Sequence, residues 1–105
     1  MRTGPPPPQG PAPGGRVRSV RVRVRGRVQG VAFRYSTLRR AERAGVVGWV
    51  RNAADGSVEA HFQGAPDAVD ALLAFVGQGP RLAVVEAVES DDVPADPALS
   101  GFEIR

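Results

Sequence analysis

The 105-residue chain has no cysteine, no lysine and a single histidine. Without thiols there are no disulfides and no thiolate metal sites, and one imidazole without a partner argues against a histidine metal centre or a Ser–His nucleophile pair. No metal and no cofactor are expected. Aromatic residues are scarce as well, with one tryptophan, one tyrosine and four phenylalanines. No apolar run approaches the roughly 18 residues of a membrane span. The N-terminal stretch MRTGPPPPQGPAPGG also lacks the apolar segment of a secretory signal. A cytoplasmic protein without a membrane partner is the expectation.

What the chain does contain is arginine, unevenly placed. All 14 basic residues are arginine; 12 of them lie in residues 1–51 beside one acid, Glu42, whereas residues 52–105 hold two arginines and ten acids. This asymmetry fits either an anion-binding front half or neutralisation between adjacent strands, and the second is favoured because exposed charge usually marks a solvated face. Residues 1–15 hold most of the prolines without a period and read as a disordered, polyproline-like tail. Residues 16–105 then form one domain of about 90 residues.

Within that domain RVRSVRVRVR alternates arginine with apolar residues, predicting a strand with Val20, Val22 and Val24 inward and Arg21, Arg23 and Arg25 outward. FRYSTLRRAERAG predicts a helix whose inward face is Leu38, Ala41 and Ala44, stopped by Gly45. VVGWVRN and SVEAHF are strand-like runs joined by AADG, a hairpin signal. Val69, Leu72, Leu73 and Val76 fall at helical spacing after Pro66, with Gly77 at the end. LAVVEAVE is a fourth strand in which Val85 and Val88 both face inward only across a bulge. Asp91-Asp92 falls in the loop that follows, and GFEIR closes the chain with a short strand. The order βαββαβ plus a short C-terminal strand is the ferredoxin-like α+β fold, an antiparallel sheet with two helices on one face. In that arrangement Arg21, Arg23 and Arg25 lie beside Glu59, Glu86 and Glu89.

The junction GRVQGVAFR, Gly26 to Arg34, carries the first chemical signal. It is neither a phosphate-binding loop of the Gly-Lys-Ser type nor a dinucleotide fingerprint. A tight turn from Gln29 to Phe33 at a helix start leaves amides without intrahelical partners, the dipole favours an anion there, and Arg34 in the first turn can close a planar fork over it. Taken alone, these residues suit an anion site and an ordinary turn with a surface arginine equally well.

Together with GWVRNAADGSVE, residues 48–59, this junction resembles the acylphosphatase family. Gly79-Pro80, AVVEAVE at 83–89 and the terminal FEIR resemble it too, so the likeness spans about residues 20–105. Acylphosphatases are small ferredoxin-like enzymes that hydrolyse carboxyl–phosphate anhydrides, releasing carboxylate and inorganic phosphate. The resemblance implies that the amides of Gln29, Gly30, Val31, Ala32 and Phe33 cradle a phosphoryl group, that Arg34 binds it, and that Asn52 orients the attacking water. An acyl phosphate and inorganic phosphate, as product or inhibitor, would be the ligands of a monomer. The family often has threonine where this chain has Ala53, which implies reduced local rigidity or rate.

Trp49 and Phe33 read as packing residues, His61 as an exposed strand position, and Tyr35 is unassigned. Two rival readings remain. An RNA-binding domain of this fold needs exposed aromatics on the middle strands, where this chain offers Arg21, Arg23, Arg25, Glu59 and His61, so no nucleic-acid partner is expected. The other is a non-catalytic anion-binding regulatory domain, as in larger proteins that carry a related domain; a free enzyme is the simpler expectation.

Overall fold

The computed structural model describes residues 16–105. The expected tail, residues 1–15, lies outside the described residues. Seven elements follow in the expected order: β1 (Arg18–Arg27), α1 (Phe33–Ala44), β2 (Val47–Asn52), β3 (Val58–Gly64), α2 (Pro66–Gln78), β4 (Val84–Asp92) and β5 (Phe102–Ile104). The sheet order is β4-β1-β3-β2-β5. Its four long strands pair antiparallel as expected, and β5 joins the edge of β2 in parallel, making the whole sheet mixed.

Strand alternation puts Val20, Val22 and Val24 of β1, Val50 of β2 and Val58, Ala60 and Phe62 of β3 on the face that the two helices cover. Val69, Leu72 and Val76 of α2 close over them, each fully buried side chain contributing about 1.5–3 kcal/mol relative to exposure. α1 departs from the expected stripe. Its inward residues are Phe33, Thr37 and Ala41; Leu38 is half-buried and Ala44 exposed. A polar residue can occupy this core because the Thr37 hydroxyl donates to the Phe33 carbonyl one turn back at 2.8 Å. Phe33, the largest apolar group near the helix start, takes the deep position. α2 likewise runs past Gly77 to Gln78 and is closed by Gly79.

The bulge in β4 is present: Arg25 pairs with Ala87 and Gly26 with Val85, leaving Glu86 as the extra residue. Gly26 therefore stays inside β1 instead of leading the strand out of the sheet. A Cβ there would lie 2.1 Å from the Val84 carbonyl oxygen, so glycine is what lets β4 approach. Displaced by the bulge, Glu86 is replaced in the neutralisation of β1 by Asp55. Arg23 pairs with Asp55 and Glu59, Arg25 with Asp55 and Glu89, and Arg21 with Glu59.

The far face of the sheet is less open than its sequence suggests. Val93 donates its amide to the Ser19 carbonyl, and Gln63 exchanges hydrogen bonds with the backbone of Asp96, so the chain after β4 crosses the sheet end opposite the Gly26–Arg34 turn. His61 is consequently buried, 3.0 Å from Ser19 Oγ and stacked on Trp49. Trp49 is itself covered by the guanidinium groups of Arg21, Arg51 and Arg105, 4.9, 5.5 and 5.1 Å from its ring centroid. Asp91 and Asp92 end β4 rather than lying in a loop, and Asp92 pairs with Arg18.

Candidate active site

The β1–α1 turn meets the end of β2 at one edge of the helix-bearing face. Register fixes the meeting. Asn52 pairs with Val58 and, two residues on from Val50, points to the side the helices cover, whereas Arg51 points to the far face with Trp49. β5 then sets Ile104 beside Val50. Gly30, Ala32, Phe33, Arg34, Tyr35 and Asn52 line one cleft of about 170 Å³, with Val28 and Ile104 completing its apolar wall.

Local conformation explains why the turn can serve an anion. Gly30 has φ +76°, and Ala32, the residue before α1, is left-handed at φ +62°, which costs about 1–2 kcal/mol for a residue with a Cβ. No side chain caps α1, and its first turn has no acid. The first intrahelical bond runs from the Ser36 amide to the Ala32 carbonyl, so the amides of Phe33, Arg34 and Tyr35 precede the ladder and the positive end of the helix dipole is left uncompensated. Among the described residues no carboxylate lies within 4 Å of the Arg34 guanidinium, and the Asn52 carboxamide makes no side-chain hydrogen bond. Phe33 anchors the arrangement from below. A Cβ at Gly79 would come within 3.0 Å of its ring, so the glycine of the Gly79-Pro80 pair leaves the space that ring fills.

Two of the expected cradle residues do not line the cleft. Val31 packs against the core, and Gln29 turns its side chain away. Gln29 Nε2 donates to the carbonyls of Ala53 and Ser57 at 2.9 and 3.0 Å, fastening the turn to the β2–β3 hairpin. Ala53 keeps its place without a hydroxyl because its amide also donates to the Ser57 carbonyl. Tyr35 and Ile104 join the cleft although the sequence assigns neither a role there, Ile104 entering only as part of the terminal FEIR. Tyr35 follows Arg34 directly, and Ile104 arrives only through the parallel pairing of β5.

The hairpin behind Asn52 is held by charge. The Ser57 hydroxyl and amide donate to Asp55, with Arg25 and Arg23 alongside, and lower its carboxyl from 3.8 to about 2. Burial alone would raise the Glu59 carboxyl, but the hydrogen bonds and charge of Arg51, with Arg23 and Arg21 beyond, hold it below the usual carboxylate range. Among the described residues no three His, Asp or Glu side chains converge as a metal site would need, and no helix is long and apolar enough to cross a membrane.

The cleft therefore offers backbone donors, a planar cation and a carboxamide that both donates and accepts, a set suited to a tetrahedral oxyanion and a water molecule beside it. Comparison with known proteins agrees with this chemistry. The family model described as acylphosphatase matches residues 20–104. An acylphosphatase of Rubrobacter xylanophilus is 57% identical over 86 residues, covering 82% of this chain and 78% of that protein. One from Salinibacter ruber is 48% identical over 91 residues, 87% of this chain and 96% of that one. The solved structure of an acylphosphatase from Coxiella burnetii superposes with a TM-score of 0.82 at 33% identity, covering 88% of this chain and 96% of that one.

Proposed function

The chain belongs to the acylphosphatase family, and on that premise we propose that it hydrolyses the carboxyl–phosphate anhydride of an acyl phosphate in the cleft between α1 and Asn52. The observation that carries this reading is the convergence there of uncapped first-turn amides, an arginine that has no carboxylate partner among the described residues, and an asparagine. The phosphoryl group sits over the Gly30–Phe33 turn, held by the amides of Ala32 and Phe33 and by the Arg34 fork. Asn52 binds the water through its carboxamide and aims it at phosphorus opposite the carboxylate leaving group.

The reaction needs little more from the protein. Acyl phosphates already carry a good leaving group, and in a loose phosphoryl-transfer transition state the gain comes from positioning and from stabilising charge on the non-bridging oxygens. Water attacks phosphorus, the P–O bond to the carboxylate breaks, and the water's proton passes to a phosphate oxygen. The products are a carboxylate and inorganic phosphate, and the latter inhibits by occupying the same cradle. Residues 16–105 are the catalytic unit in this reading, working as a monomer since every group the site uses comes from one chain; the cytoplasm is its proposed location. Gln29 and Val31 serve as supports for the loop rather than through their side chains.

Benzoyl phosphate hydrolysis, followed with and without a chelator, is the direct test. Turnover unaffected by the chelator is the expected result. Phosphate binding with no turnover would instead identify a regulatory anion-binding domain.

A further inference from the structure

Resting on that reading of the cleft, we propose that the outward side of α1 beside it is a subsite that selects acyl phosphates whose acyl group carries a second negative charge, such as a terminal carboxylate. α1 holds Arg34, Arg39, Arg40 and Arg43 against one acid, Glu42. Of the nine described arginines outside α1, six (Arg18, Arg21, Arg23, Arg25, Arg51 and Arg105) each lie within 4 Å of a carboxylate, Arg16, Arg27 and Arg81 being the exceptions. Among the described residues none of the α1 arginines does. Arg39 and Arg43 stand one turn apart, as do Arg40 and Arg43, spacings at which like charges repel and weaken a helix. Only Arg43, in the last turn, is offset by the helix dipole.

These side chains are also arranged. Tyr35, Arg39, Arg40, Arg43 and Phe75 line an open groove, and Tyr35 is shared between that groove and the catalytic cleft. Arg39 Nη1 donates to Tyr35 Oη at 3.2 Å, and the Arg40 guanidinium lies 4.5 Å from the Phe75 ring centroid. Both are thus held toward the groove with further N–H groups free to donate. Arg39 lies about 7.5 Å along the axis and about 140° around it from Arg34, on the side of the helix that Tyr35 faces, so the path from the cleft to Arg39 for the far end of a short dicarboxylic monoacyl phosphate runs past Tyr35. The Tyr35 ring bridges the two positions.

The test compares two substrates of equal length, succinyl phosphate with a terminal carboxylate and butanoyl phosphate with a methyl group, on the wild-type chain and on Arg39→Gln/Arg43→Gln. Both changes lie on an exposed helix face. For succinyl phosphate kcat/KM is expected to fall about tenfold, mostly through KM, while butanoyl phosphate stays within about twofold. The difference should shrink as salt rises from low to about 0.5 M, where the screening length is a few ångströms. Equal losses on both substrates, or no loss on either, would overturn the subsite while leaving the hydrolytic reading intact. Failure of the wild-type chain to hydrolyse butanoyl phosphate at all would overturn both.

Discussion

Gln29→Ala probes the connection on which the cleft depends. The Gln29 carboxamide donates two hydrogen bonds, to Ala53 O at 2.9 Å and to Ser57 O at 3.0 Å, and these are the side-chain bonds that tie the turn carrying Arg34 to the hairpin carrying Asn52. The two carbonyls flank the hairpin turn, so each bond restrains one of its sides. A half-buried neutral hydrogen bond contributes about 0.5–1.5 kcal/mol, so their joint loss should cost about 1–3 kcal/mol. For a domain of this size with a urea m-value of about 1 kcal/mol/M, the midpoint should fall by about 1–3 M. Turnover of an acyl phosphate should fall further than stability alone explains, because positioning by about 1 Å matters at a site with so little other catalytic equipment. Gln29→Met separates volume from hydrogen bonding and should behave like Gln29→Ala. Urea unfolding and steady-state kinetics on the two variants read both effects. An unchanged midpoint with unchanged kcat would refute the idea that this side chain couples the turn to the hairpin.

The remaining predictions concern charge, backbone and phosphate recognition. Asp55 and Glu59 both have lowered carboxyl pKa values, so the unfolded chain binds more protons in acid and stability falls with pH; for Asp55 the contribution is complete above 3.8 and disappears through about 2. Urea midpoints between pH 6 and pH 2.5 should therefore decline less steeply in Asp55→Asn than in the wild type. Gly48→Ala would set a Cβ 1.8 Å from the His61 carbonyl at φ +142°, and circular dichroism should show loss of the folded state, whereas Gly77→Ala, in open space on α2, should raise stability by about 0.5–1 kcal/mol. Arg34→Lys keeps the charge but loses the planar fork, and should lower kcat/KM by about 10- to 100-fold with weaker inhibition by phosphate.

The fold was legible because local pattern and tertiary demand coincide along most of the chain. Val20, Val22 and Val24 alternate with arginine, Asp55-Gly56 marks the hairpin, and Val69, Leu72 and Val76 face the core as their spacing requires. The misplaced features share a cause, which is contact between segments distant in sequence. His61 alternates like an exposed residue and is buried only because Trp49, Ser19 and the chain after β4 cover it. Thr37 reads as polar surface until its hydroxyl is seen to bond to the Phe33 carbonyl. Strand adjacency in the fold puts Glu86 beside the arginine stripe, and the bulge at that residue breaks the register that would bring it there. At the site, the Arg34 and Asn52 motifs were visible, but the inward turn of Gln29 toward the hairpin and the arrival of Ile104 were not. Neither is encoded in a motif; one follows from where two carbonyls lie, the other from a parallel strand pairing.

The central claim is a division of labour, with phosphate held by the α1 turn and Arg34 and water placed by Asn52. Benzoyl phosphate turnover of Asn52→Ala, measured beside its dissociation constant for inorganic phosphate, tests it most directly. The expected result is a fall in kcat of about 100-fold or more with phosphate affinity within about threefold of the wild type. Ordinary turnover in Asn52→Ala, or phosphate affinity lost in step with turnover, would contradict it.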